Sequence, residues 1–183
     1  KKATGSFVVT DASTHASTPL SNVGYLETGG HVNTAFAGVG SIGFELTDVD
    51  FGILMVSDTK ATPLLTTDDV NYMALKAEVG SASLVGIDGL TASVTTLSVI
   101  VNKTSSLTAP NAVLDFVNTA DATNATDNAA ASRSIATGPA PAPTVTLDID
   151  GDEGVLLQVM ADLTLDVFGF VTLDGSLAFK KAS

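Results

Sequence analysis

With 183 residues, 45% of them hydrophobic, the chain holds material for one sizeable core or two small ones. Twenty Asp and Glu against eight Lys and Arg leave a net charge of −12, which excludes the basic patch that nucleic acid requires and disfavours an anionic membrane surface. Cysteine is absent, so neither disulfides nor thiolate chemistry contribute, and no run of about 18 apolar residues offers a membrane-spanning helix.

Aromatic residues make up 5% of the chain and Trp is missing, so Val, Leu, Ile and Ala must fill the interior. β-branched residues dominate and Gly or Asp-Gly punctuates nearly every run, which predicts strands throughout. Short strands are expected at 7–10 and 23–27. Ile42, Phe44 and Leu46 alternate on one parity and Val49, Phe51, Ile53 and Met55 on the other. The slip between them, at Thr47-Asp48, predicts a turn or bulge. A polar excursion covers 58–69. Alternation resumes at Met73, Leu75, Ala77 and Val79, runs through Leu84 to a turn candidate at Asp88-Gly89, and continues in Leu97, Val99 and Val101. Residues 118–143 end in Gly138-Pro139-Ala140-Pro141-Ala142-Pro143 and read as a long polar loop with too little apolar surface to order itself. A short strand is expected at 144–149.

From Val155 to Phe179 the odd positions are apolar or Gly almost without exception, among them Leu157, Val159, Leu163, Leu173 and Leu177. Even positions carry Gln158, Asp162, Thr164, Asp166, Thr172, Asp174 and Ser176, which predicts one buried and one wet face. A two-residue hairpin would move the buried set to the other parity, so Asp174-Gly175 is not expected to be one. The segment is then a single very long strand, or its breaks are bulges and odd-length loops.

The chain opens Lys1-Lys2-Ala3-Thr4 and closes Lys180-Lys181-Ala182-Ser183. With so few lysines, the match reads as one period of a tandem array. Three stretches also resemble the repeat units of very large secreted bacterial multi-repeat proteins, adhesin-like and exported by type I machinery. They are Val49-Asp50-Phe51-Gly52-Ile53-Leu54, then Tyr72 to Ala77 with Gly86-Ile87-Asp88-Gly89-Leu90, and Phe168 to Phe179 with its Gly169-Phe170-Val171 phrase. The resemblance implies an extended extracellular chain and carries no catalytic residue.

The best local constellation of candidate ligands is Asp148, Asp150 and Asp152 with Glu153, since alternating carboxylates around Gly151 offer hard oxygen donors to calcium. The spacing departs from the helix–loop–helix calcium site, in which Gly follows the third ligand. A solvated acidic turn is the competing reading. His15 and His31 stand in polar surroundings, and the nucleophile-elbow motif of a serine hydrolase is missing from the sequence. Tyr25 and Tyr72 are candidates for stacking on a ligand. Asn102-Lys103-Thr104 and Asn124-Ala125-Thr126 fit the glycosylation sequon.

These readings converge on an all-β module spanning 1–183, an elongated antiparallel sandwich or a long twisted meander, with a β-solenoid as the alternative. The expected role is structural or adhesive and not enzymatic, at the cell surface or outside it. The expected partners are further copies of the chain, covalently fused or polymerised, joined by strand pairing, with no nucleic acid and no membrane insertion. A surface-displayed module binding calcium or carbohydrate is the second reading, and no other cofactor is expected.

Overall fold

A computed structural model describes residues 2–59, 69–117 and 132–183. Ten strands form in chain order: β1 (Lys2–Asp11), β2 (Ala16–Val39), β3 (Ile42–Asp58), β4 (Val70–Val85), β5 (Leu90–Thr104), β6 (Ala112–Leu114), β7 (Arg133–Ala136), β8 (Thr144–Leu147), β9 (Leu156–Val167) and β10 (Val171–Lys181). Eight of them make one antiparallel sheet in the order β10-β9-β5-β4-β3-β2-β1-β6, and β7 with β8 makes a small second sheet. The meander is thus the architecture, and the antiparallel pairing leaves no solenoid rungs among the described residues. At 24 residues, β2 is far longer than the usual strand.

Of the turn or bulge expected at Thr47-Asp48, the structure has an irregularity within the strand. Val49 pairs with Val79 and Thr47 with Ser81, leaving Asp48 and Gly80 outside the ladder. Asn33 is skipped in the same way on β2 and Thr96 on β5, so the defect crosses four strands as one crease. Asp48 and Thr96 sit at φ 50° and 52°, in the left-handed region. Opposite Asp48, a Cβ added at Gly80 would lie 3.0 Å from the Asp48 Cβ, so the crease is close-packed there.

Ladder partners carry one face across this crease, because β9 and β10 alternate without interruption. Below it the row is Val159–Val99–Ala77–Phe51–Gly30, and above it Leu163–Val94–Ala82–Leu46–Ala35. The parity change in β3 therefore keeps its apolar residues on a single face of the sheet.

That face is not the core. The core lies on the opposite side, where the row Leu156–Asn102–Ala74–Leu54–Glu27 and its neighbours are covered by β6, β7, β8 and the segments beside them. Leu54, Leu114 and Leu147 are fully enclosed there, with Ile135, Phe116, Phe7 and Tyr25 around them. The expected buried face of 155–179 is accordingly corrected: the odd positions look away from the core, and every residue of β10 is exposed. The apolar alternation marks a face that is fully exposed on β10 and partly covered further in, where Ala161, Ala82 and Val79 are buried.

Three further expectations meet the structure here. Asp88-Gly89 is a turn, with Gly89 at φ 77° and Leu90 N–H donating to the Ile87 carbonyl. The break in the C-terminal segment is the three-residue loop Phe168–Phe170, which pairs Val167 with Val171 and preserves parity, while Asp174-Gly175 lies within β10. The loop expected at 118–143 contains β7, whose Ile135 packs into the core with 1% exposure. Ile135, buried, and Arg133, bonded to Glu27 at 2.7 Å, hold β7 against the large sheet. Residues 118–131 and 60–68 lie outside the described residues.

Candidate functional site

The acidic turn does not assemble as a metal site. Asp150 accepts a hydrogen bond from the Asp152 N–H at 2.9 Å and so caps a 3-10 turn at Gly151–Glu153. That turn splays the carboxylates apart: Asp148 meets the Lys76 Nζ at 3.0 Å, Asp152 meets His15 Nδ1 at 3.0 Å, and Glu153 pairs with Lys180. Among the described residues no three His, Asp or Glu side chains converge as a metal donor set. The expectation of calcium at Asp148, Asp150 and Asp152 is therefore not supported by their placement. These residues tie the turn to β4, to the 12–15 turn and to β10.

Beneath the turn lies a carboxylate that sequence reasoning missed. Asp115, 1% exposed, accepts from Thr10 Oγ1 at 2.6 Å, from the Gly151 N–H at 3.0 Å and from the Val117 N–H at 3.2 Å. A Cβ at Gly151 would stand 2.7 Å from the Asp115 Cβ, so only glycine allows this approach. The signal was legible in hindsight, since a lone acid inside the apolar run Ala112–Phe116 must be both buried and satisfied.

His31 is exposed on β2, with Nδ1 3.0 Å from Asp50 and Nε2 2.8 Å from Asn33. Those two hydrogen bonds, Asn33 first and Asp50 second, hold its pKa above the ordinary histidine value. Both ring nitrogens are thereby occupied. Tyr25 and Tyr72 are buried, which removes them as stacking platforms. Tyr25 instead meets Phe7 edge-to-face at 5.3 Å, with Arg133 over its ring at 4.8 Å. Asn102 is wholly enclosed and its Nδ2 donates to the Leu114 carbonyl at 2.7 Å, so that sequon is inaccessible in the fold. Asn124 lies outside the described residues.

What remains is backbone and apolar surface. Among the described residues β10 has one strand neighbour, β9, and presents its outer edge with Leu173, Leu177 and Phe179 each about half exposed. At the far side of the sheet β1 pairs with β2 as far as Leu26, and from Thr28 to Val39 the β2 edge has no strand beside it among the described residues. Between these edges runs the apolar face, with a groove of about 530 Å³ where Leu26, Met55, Met73 and Lys103 line up across four strands. No helix among the described residues is long and apolar enough to cross a membrane.

Compared with known proteins, the chain matches no protein-family model, no curated protein and no solved structure.

Proposed function

We propose that the chain is a structural or adhesive module of an extracellular filament, rod or stalk, whose copies associate with one another through strand pairing. The observation that carries this reading is β10: eleven consecutive residues in strand conformation, all exposed, with one backbone edge unpaired among the described residues and an apolar side-chain row. Such an edge is a template for another strand unless it is blunted by charge, proline or cover. Asp174 is the single charge within it, Lys180 and Lys181 charge its end, and Pro is absent from it. The net charge of −12 supports the reading from the other side, because like-charged surfaces oppose random side-by-side clumping and leave the specific edge contact to dominate. The role is mechanical, and no residue is assigned to catalysis.

Sedimentation velocity of the chain across a wide concentration range, with electron microscopy of the heaviest fractions, tests it. The expected result is a ladder of species growing with concentration and reduced to monomer by Leu177→Lys with Phe179→Lys. A single monomeric boundary at every concentration overturns it.

A further inference from the structure

The two unpaired edges fit each other, and the structure assigns them a register. We infer that β10 of one copy adds to the β2 edge of another copy from Thr28 upward, in line with that copy's β1, so that one sheet runs through both. This rests on the strand-pairing reading above and specifies its joint.

Three independent features of the fold agree. The first is length and position. β1 covers β2 only from Ala16 to Leu26 and leaves twelve residues, 28–39, with no strand on that side among the described residues. β10 is eleven residues long, and its Lys181 sits in the row Lys181–Leu157–Val101–Leu75–Ile53–Thr28, so β10 occupies the level of the sheet that β1 does not reach. The half-lane missing at one edge is the half-lane present at the other.

The second is direction. Successive neighbours from β1 through β2, β3, β4, β5 and β9 to β10 are all antiparallel, so the first and last of these seven lanes run the same way. A β10 laid against β2 in line with β1 is antiparallel to β2, as that ladder requires.

The third is the side-chain face. The repeated Lys-Lys-Ala sets the register by letting Lys180 stand for Lys1, a displacement of 180 − 1 = 179 residues. This number is odd. Even residues of β10 share the core side with Leu156 and Asn102, and they map onto odd residues of β1, whose Ala3 pairs with core-facing Tyr25. An even displacement would have thrown the apolar row of β10 onto the wrong side of the sheet. With 179, the ladder Lys2↔Leu26 and Ala3↔Tyr25 extends as Phe179↔Thr28, Leu177↔Gly30 and Ser176↔His31, and the apolar face continues over the joint.

The geometry of the assembly follows. Merging β10 of one copy with β1 of the next reduces seven lanes to six per copy, and at roughly 4.8 Å per lane the copies repeat every ~29 Å, across the strands and not along them.

Because the chain has no cysteine, thiol chemistry reads the joint directly. Two copies are joined so that Lys1 of the second follows Phe179 of the first, with Ser176→Cys in the first copy and His31→Cys in the second. Directly opposed antiparallel residues stand about 4.5–5.5 Å apart at Cα, within disulfide range. Mild oxidation is expected to remove both free thiols without dimerising the chain, whereas the reversed placement, His31→Cys first and Ser176→Cys second, is expected to give disulfides only between chains, as a ladder of cross-linked oligomers. Hydrogen exchange on the cysteine-free two-copy chain supplies a measurement that needs no substitution: amides between 27 and 37 gain protection in one copy of the two. Free thiols in both placements, with those amides exchanging as in the single chain, overturn the inference. If the single chain still polymerises in that case, strand pairing survives and only this joint fails; if it is also monomeric at every concentration, the strand-pairing reading fails with it.

Discussion

Thr10 Oγ1 donates a 2.6 Å hydrogen bond to Asp115 Oδ2, with neither residue exposed by more than 1%. The bond joins β1 to the segment after β6, and the same carboxylate holds the Gly151 amide, so one side chain fastens three stretches distant in sequence. Replacing Asp115 by Ala removes the acceptor for two buried donors at once. The expected cost is about 3 kcal/mol in urea unfolding. A loss under about 0.5 kcal/mol, the range of an ordinary surface change, would show that the carboxylate is not a fastener.

The two faces of the sheet should answer differently to truncation. Leu54, on the core side, has no exposed surface, and Leu54→Ala is expected to destabilise by about 3 kcal/mol. Leu173 on β10 is 53% exposed, and Leu173→Ala should change the stability of the monomer by less than about 0.5 kcal/mol. Equal losses at the two sites would mean that the odd face of β10 is covered after all.

His31 is expected to titrate above the ordinary value of 6.5, because Asn33 and then Asp50 accept hydrogen bonds from the protonated ring. A folded-state pKa raised in this way contributes stability that is complete below the unfolded value and disappears as pH rises through the folded one. NMR titration of the ring protons checks it, and Asn33→Ala should move the midpoint down. An unchanged midpoint in that variant would assign the shift elsewhere.

Asp162 behaves in the opposite sense. Ser176 and then Thr96 donate hydroxyl hydrogen bonds to it, at 2.6 and 2.7 Å, and hold its pKa below 3.8. Its contribution is present above the ordinary carboxylate range and is lost as pH falls through the lower folded value. Ser176→Ala should raise the carboxyl midpoint in a 13C NMR titration.

Millimolar calcium is expected to leave the thermal midpoint unchanged, since Asp148, Asp150 and Asp152 face three different partners. Asp150→Ala should cost about 1 kcal/mol through loss of the cap, equally with and without the ion. A calcium-dependent rise in midpoint abolished by that substitution would restore the turn as a metal site.

The sequence announced strands, most of their residues, the Asp88-Gly89 turn and the parity-preserving C-terminal loop, because alternation and turn chemistry are local properties. Which face is covered is not local. The strongest alternation, Leu157 to Phe179, was read as buried, yet covering depends on where β6, β7 and β8 come to rest, and they rest on the other side. The side-chain directions of the acidic turn were not legible for a related reason. Spacing along 148–153 says that carboxylates are near one another in sequence, whereas Lys76, His15 and the 3-10 turn decide where each one points. Asp115 was overlooked because a single acid has no periodicity to detect.

The long β2–β3 ladder has a mechanical consequence. Its fifteen registered pairs bridge strands whose hydrogen bonds lie perpendicular to the chain direction. Lys2 lies at the level of Leu26 and Lys181 at that of Thr28, six lanes apart, so tension applied between them acts across the strands, along the ladder hydrogen bonds, and opens the ladders from that level outward.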